Sequence, residues 1–282
     1  MKIESKLNTV IRCLDLCRAS LIATALVGLV SSAFAADIGT LRKSLGDRGL
    51  NVGVPSIAQR PALEAAANTN PQGGPYGVLG AGWWQWVFSL PVHDASNNVS
   101  HPLLTTGAVD CSIGQSGPVW FLAGNITGGA TTRSCTVPHA VALFFPMLNS
   151  WCDNTGFDAP SKLTLPQLRS CAAFSADPLP GSLHASVDGI DIPVSASNRG
   201  LAEFEYTLPN TDNFLQFLGA QVPGPGWPFG NTPFGTDVAP AISDGNWALI
   251  GPLSQGAHTI KFGGTALNGG FSLDIIYSLT VN

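Results

Sequence analysis

The chain has 282 residues, a formal net charge of −5 and only 11% charged side chains. So few charges give little basis for electrostatic contact with phosphates, which argues against nucleic acid and against an anionic membrane surface as partners. The 32 glycines and 21 prolines predict many turns and long ordered loops.

The first 35 residues have the order of parts of a secretory signal peptide. Basic side chains precede an apolar run over residues 21–30, and a small-x-small triplet at residues 33–35 follows it. The run is too short to span a bilayer as a helix, although a buried N-terminal helix is the alternative. We therefore expect cleavage after Ala35 and an exported chain, secreted or periplasmic, with no membrane span in its mature part. Cleavage would remove four basic and two acidic side chains, so the formal charge would become −7.

Export also changes the interpretation of the six cysteines, because two of them lie within the signal. The four that remain are Cys111, Cys135, Cys152 and Cys171. In an exported protein an even set indicates disulfides, and of the three possible pairings we favour Cys111–Cys135 and Cys152–Cys171 because near neighbours suit loop stapling. A metal site is the competing interpretation, but no C-x-x-C or paired histidine spacing accompanies the cysteines. We predict neither a metal nor a cofactor.

The mature chain divides into two parts. Residues 36–76 predict a short helix followed by an extended arm rich in Pro, Gly, Asn and Ala. Residues 77–282 predict one β-sandwich domain. Its first segment, residues 79–90, ends before Pro91 and is apolar on nearly every side, which favours a buried helix over a strand.

Short β-branched or aromatic segments bounded by Gly or Pro predict strands from residue 118 onward. These segments cover residues 119–123, 131–137, 141–145, 201–208, 246–250, 258–262 and 271–281. Asp188-Gly189 predicts a hairpin with a type I′ turn between residues 183–187 and 190–194. A capping-box pattern at Thr164 predicts a helix over residues 165–174, and Asp212 is the expected cap of one helical turn. Residues 223–240 form a Pro/Gly loop that holds Trp227.

The last segment shows the fold class most clearly. From Phe271 to Val281 every second side chain is apolar, and the intervening ones are mainly polar. A period of two indicates one buried and one wet face, and helical patterns do not alternate with the strands, which disfavours a parallel α/β sheet. The predicted class is all-β: an antiparallel β-sandwich or jelly roll with a few surface helices.

Several blocks resemble a family of exported, β-rich microbial proteins. The blocks are GWWQWVFSLP (82–91), GQSGPVWFLAG (114–124), CTVP (135–138), LFFP (143–146), DGNW (244–247) and GAHTIKF (256–262). The resemblance covers most of the mature chain and implies that it is one unit. It brings no catalytic residues with it.

The tryptophans are the main candidates for ligand contact. Aromatic rings stack on the apolar faces of sugars and other neutral ligands, and a nearby amide could fix hydroxyl groups. The candidate residues are Trp83, Trp84, Gln85, Trp86, Trp120 and Trp227. The alternative is that the cluster at residues 83–86 fills the core, whereas Trp227, in its loop, is the better candidate for an exposed platform.

A weaker signal comes from two carboxylates. Glu203 and Glu205 would leave one face of a single strand, their Cα atoms about 6.5–7 Å apart, as a glycoside hydrolase could use them. A solvated outer face is the alternative. The loop around Ser116 narrowly misses a nucleophile elbow, because Pro118 replaces its second glycine.

Three functions follow from this sequence. The first is an exported sandwich that binds a neutral ligand, such as a glycan or another cell-surface polymer. The second is a secreted glycoside hydrolase or lyase that uses Glu203 and Glu205. The third is a structural or envelope-assembly protein.

Overall fold

The computed structural model describes residues 74–155, 162–218 and 237–282. The predicted signal peptide, almost all of the predicted arm, and Trp227 lie outside the described residues. In the described part the chain forms ten strands and three α-helices.

Two sheets carry the fold. The six-stranded sheet has the order β1-β3-β10-β9-β5-β6, and the four-stranded sheet has the order β2-β4-β8-β7. Their strands are β1 (Gly107–Ala108), β2 (Val119–Phe121), β3 (Gly129–Val137), β4 (Ala142–Asp153), β5 (His184–Val187), β6 (Ile190–Asp191), β7 (Arg199–Thr207), β8 (Asp237–Ile250), β9 (Gly256–Thr265) and β10 (Ser272–Val281). The helices are α1 (Gly74–Ser89), α2 (Leu165–Ala176) and α3 (Phe214–Phe217). The fold is an all-β sandwich, as predicted.

Both sheets are mixed rather than antiparallel, which corrects one part of the prediction. β3 runs parallel to β10 and to β1, and β2 runs parallel to β4. Alternation along a strand shows which face is buried, but it carries no information on the direction of the neighbour. The long chain segment between β3 and β10 includes strands β4, β7 and β8 of the other sheet. A connection of this length allows β3 and β10 to pair in parallel.

Two apolar layers enclose the four-stranded sheet. One lies between the sheets, where Phe145 of β4 meets Phe262 of β9, and the other lies under α1, where Phe144 and Trp247 stack with ring centroids 5.0 Å apart. Because β4 and β8 are covered on both faces, their residues are buried almost without interruption. β10 has one wet face, so its side chains alternate as predicted.

α1 confirms the predicted helix and begins five residues earlier than expected, at Gly74. Pro75 does not prevent this start, because a proline in the first turn removes no helical hydrogen bond. Glycines bring the helix onto the sheet. A Cβ at Gly80 would lie 2.8 Å from the Trp247 ring, and one at Gly77 would lie 2.7 Å from the Leu201 carbonyl oxygen.

Two strands are much longer than predicted: β4 runs on to Asp153, and β8 begins at Asp237, inside the loop predicted over residues 223–240. The predicted turn and caps agree more closely. Asp188 and Gly189 have φ angles of 51° and 77°, as a type I′ hairpin requires. Gln167 accepts hydrogen bonds from the Thr164 main chain and hydroxyl at the start of α2. Asn213, not Asp212, caps α3, because the Asp212 carboxylate accepts a hydrogen bond from the main-chain N–H of His93 instead.

Both predicted disulfides are present. Cys111–Cys135 fastens the segment before β2 to β3, and Cys152–Cys171 fastens β4 to α2. Near this link half-buried Arg199 of β7 donates to both carboxylate oxygens of buried Asp244 in β8, at 3.0 and 2.9 Å, and to Asp177 just after α2. Burial raises the pKa of Asp244, although the hydrogen bonds from Arg199 oppose that shift.

Candidate functional site

The three tryptophans of α1 lie in the core. Trp83, Trp84 and Trp86 are 1%, 3% and 7% exposed. Trp83 donates its indole N–H to the Leu122 carbonyl at 3.0 Å, and Trp86 donates to the Ile113 carbonyl at 2.9 Å. Their burial favours the core interpretation over ligand contact.

Gln85 is exposed, but its amide is already engaged. Its Nε2 donates to the Glu205 carbonyl oxygen at 2.9 Å, so α1 covers part of the outer edge of β7. Gln115 acts similarly at β2, where its side chain accepts from the Phe121 N–H and donates to the Phe121 carbonyl. These glutamines protect strand edges that would otherwise be open to pairing with another chain.

Trp120 of β2 differs from every other tryptophan that the structure describes. Trp83, Trp86 and Trp151 donate their indole N–H groups to protein acceptors, while Trp84 and Trp247 bury theirs without a partner. Among the described residues the indole N–H of Trp120 has no hydrogen-bond partner, and it is not fully buried. One side of its ring packs on the core between the sheets, and the ring also lines an open groove.

This Trp120 groove has a volume of about 680 Å³. Its lining comprises residues 108–112, Trp120, residues 134–138, and the end of β10 with Ser278, Thr280 and Asn282. The disulfide Cys111–Cys135 therefore forms part of its wall. The volume falls in the range of small-molecule sites.

The groove is polar but almost uncharged. Hydroxyl groups from Ser134, Thr136, Ser278 and Thr280 line it, with the Asn282 amide at one end. Its one charged side chain is Asp110, whose carboxylate accepts hydrogen bonds from the main chain and hydroxyl of Ser112 at 2.8 and 2.6 Å. Such a lining suits a neutral ligand that both donates and accepts hydrogen bonds.

A small cavity of about 20 Å³ lies behind the groove, and residues 109–111 line both spaces. Arg133 lines the cavity and is almost fully buried. Its guanidinium donates to the carbonyls of Thr105, Ala123 and Pro102 and to the Tyr277 hydroxyl. Burial raises the pKa of Tyr277, and the Arg133 charge opposes that shift. These bonds hold the segments at Pro102–Thr105 and Ala123 against β3 and β10.

The two predicted catalytic carboxylates lie elsewhere. Glu203 and Glu205 leave the exposed face of β7, as the alternation predicts, and neither lines the groove. Glu203 has Arg169 of α2 at 3.6 Å. The structure therefore does not bring these carboxylates together with Trp120.

Sequence reasoning missed the hydroxyl residues of the groove. Ser278 and Thr280 were identified only as the wet face of a strand, and Ser134 and Thr136 belong to a strand with a similar pattern. What indicates a site is that these residues are paired across the two strands. Ser278 lies opposite Ser134, and Thr280 lies opposite Thr136. That register follows from the parallel contact of two strands far apart in the chain.

Comparisons with protein-family models, curated proteins and solved structures gave no match to this chain. In the described residues no helix is long and apolar enough to cross a membrane. Over the same residues, no group of three His, Cys, Asp or Glu side chains is arranged to hold a metal ion. The class defined by fold and site is thus a disulfide-linked β-sandwich with a helix packed on one sheet and a neutral groove at the sheet edge.

Proposed function

We propose that this protein is exported and that it binds a neutral ligand, a glycan or another cell-surface polymer, in the Trp120 groove. The observation that carries the proposal is Trp120, which lines a groove of hydroxyl residues and whose indole N–H has no hydrogen-bond partner among the described residues. An aromatic face that is partly fixed by core packing can stack on a sugar ring with little loss of side-chain entropy. The surrounding hydroxyl and amide groups supply hydrogen bonds to sugar hydroxyls.

Charge and compartment agree with this function. The described lining contains no cationic side chain and one acidic side chain, Asp110, so it lacks the groups that would bind an acidic ligand. Two disulfides and the signal-like first 35 residues support export. We expect the protein recovered outside the cytoplasm to begin at Ala36, which N-terminal sequencing would check. An N-terminus at Met1 would contradict export by a cleaved signal.

The groove is tested by replacing Trp120. In calorimetric titrations with a panel of neutral oligosaccharides, Trp120→Ala should weaken binding roughly tenfold or more, since stacking contributes about 1 kcal/mol and the indole N–H adds a hydrogen bond. Trp120→Phe should retain part of the affinity because it keeps a ring. Phe217→Ala removes an exposed aromatic ring outside the groove and should leave affinity unchanged.

Thermal unfolding of each variant would show that it is folded. Unchanged affinity in a folded Trp120→Ala variant would contradict the proposed site. No binding of any neutral glycan by the wild-type protein would contradict the proposed function itself.

A further inference from the structure

The lining of the Trp120 groove includes five consecutive residues at and just after the end of β3. It follows this strand from Ser134 to Pro138, a distance of about 13 Å at the rise of a β-strand. The lining residues at its two ends, Ala108 and Asn282, are both exposed. A ligand chain could therefore enter at one end and leave at the other.

The hydroxyl groups along this path form two rows. Ser134 and Ser278 are register partners, and so are Thr136 and Thr280, two residues further along both strands. All four residues are exposed. Partners on adjacent strands lie about 4.8 Å apart, and successive rows lie about 6.6 Å apart along the strands. The rows repeat in the direction in which the groove runs.

The main chain adds hydrogen-bonding groups at the same place. β1 pairs with β3 only at Arg133 and Ser134, and the Val109 N–H then donates to the Ser134 carbonyl. Successive residues of a strand direct their main-chain groups to opposite sides, so Thr136 points its N–H and C=O to the same side as Ser134. There β1 has ended, and these groups face the groove.

From this geometry we propose that the groove binds an internal stretch of a linear, neutral polysaccharide, with several consecutive sugar units lying along β3. This inference rests on the proposed function and specifies its ligand class. One sugar ring stacks on Trp120, and the following units bond to the two hydroxyl rows and to the Thr136 main chain. An acidic polysaccharide fits poorly, because Asp110 would repel it and no lining cation would attract it.

An extended peptide is the other polymer that such an edge could accept. Strand addition depends on a series of main-chain hydrogen bonds along an open edge. Here the open stretch of β3 beyond β1 is only three residues long, Cys135 to Val137, and the disulfide at Cys135 closes one side of it. The structure therefore favours the polysaccharide.

The test is the dependence of affinity on ligand length. The exported chain would be titrated with glucose, cellobiose, cellotetraose and cellohexaose, and with the corresponding β-1,3-glucan and chitin oligomers. In at least one series we expect affinity to rise roughly 100-fold from the monomer to the tetramer and then to level off. Matched oligogalacturonates and a neutral, extended hexapeptide should bind at least tenfold more weakly than the best tetramer.

Two variants test whether the hydroxyl rows cause the rise of affinity with ligand length. Thr136→Val/Thr280→Val removes two hydroxyls and keeps the side-chain shape, so it should abolish most of the gain with length but retain monomer binding. Thr132→Val changes an exposed β3 threonine outside the groove lining and should leave the length dependence unchanged.

Each result decides a different point. Equal affinity for monomer and hexamer, or an undiminished gain with length in the folded double variant, would overturn the polysaccharide inference and leave the Trp120 site standing. Stronger binding of the peptide or of the acidic oligomers would also overturn it. Failure of every sugar of every length to bind would remove the proposed function together with the inference.

Discussion

His101 is a buried histidine, and one of its two hydrogen bonds requires the neutral ring. Its Nε2 donates to the Val87 carbonyl at the end of α1, its Nδ1 accepts from the Leu103 N–H, and its ring stacks on Phe214 at 4.6 Å. Burial lowers the pKa of His101 from 6.5 to about 4, although the bond to Val87 and the charge of Asp212 oppose this. Protonation would keep the bond to Val87, but it would break the bond from Leu103 and place a charge in a buried site.

This pKa predicts a loss of stability in acid. Below pH 6.5 His101 is protonated in the unfolded chain, but in the folded chain it stays neutral until about pH 4. The contribution of neutral His101 to the free energy of unfolding is therefore complete above pH 6.5 and is lost as the pH falls towards 4. The loss should approach about 3 kcal/mol. Urea unfolding at pH 7 and pH 4.5 would measure it.

Other groups titrate in the same range, so a variant is needed to isolate His101. Between pH 7 and pH 4.5 the free energy of unfolding of His101→Gln should fall less than that of the wild type, by most of the expected loss of about 3 kcal/mol. His139→Gln, at an exposed histidine, should follow the wild type. An equal fall in wild type and His101→Gln would contradict the assignment.

At the level of elements, the close contact between α1 and the sheet determines which positions of the helix must be glycine. Gly80 faces Trp247, and Gly82, two residues later, meets only Phe121 at 3.6 Å. Both glycines are helical, so alanine would be intrinsically better by about 1 kcal/mol at either position. The packing should make the substitution by alanine destabilising at Gly80 only, where the added Cβ has no room.

Gly80→Ala should lower the free energy of unfolding by about 1–3 kcal/mol, because its Cβ would lie 2.8 Å from rigid ring atoms of Trp247. Gly82→Ala, on the same helix, should raise it by up to about 1 kcal/mol. Chemical denaturation of the two variants provides the comparison. A stabilised Gly80→Ala would show that the helix can move away from the sheet at little cost.

Several elements were predictable because their signals are local. The type I′ turn at Asp188-Gly189 and the alternation of β10 depend on residues adjacent in sequence, and both appear as expected. The cap of α3 was predicted wrongly, since the choice between Asp212 and Asn213 depends on His93, which is distant in sequence. A local sequence pattern cannot show that a tertiary contact competes with the helix end for the same side chain.

At the scale of the whole molecule, the two disulfides have different consequences. Each closes a loop of about 20 residues and should contribute about 3 kcal/mol by restricting the unfolded chain. Only Cys111–Cys135 also lines the Trp120 groove. We therefore expect Cys152–Cys171 to contribute to stability alone and Cys111–Cys135 to contribute both to stability and to the proposed site.

Paired serine variants would separate the two roles. Cys152→Ser/Cys171→Ser should lower stability and leave ligand affinity unchanged, whereas Cys111→Ser/Cys135→Ser should lower both. Denaturation and calorimetry on the same samples give both quantities. Equal affinity in the two folded variants would mean that the groove wall does not need its disulfide.

The sequence alone determined the all-β class, the buried helix at residues 79–90 and the pairing of four cysteines, because periodicity, composition and spacing are local properties. It could not determine which tryptophan is available to a ligand. Trp83, Trp84 and Trp86 are covered by the sheet, while Trp120 remains open beside hydroxyls of β3 and β10. Only the tertiary structure decided this, since exposure depends on which distant segments pack against each ring.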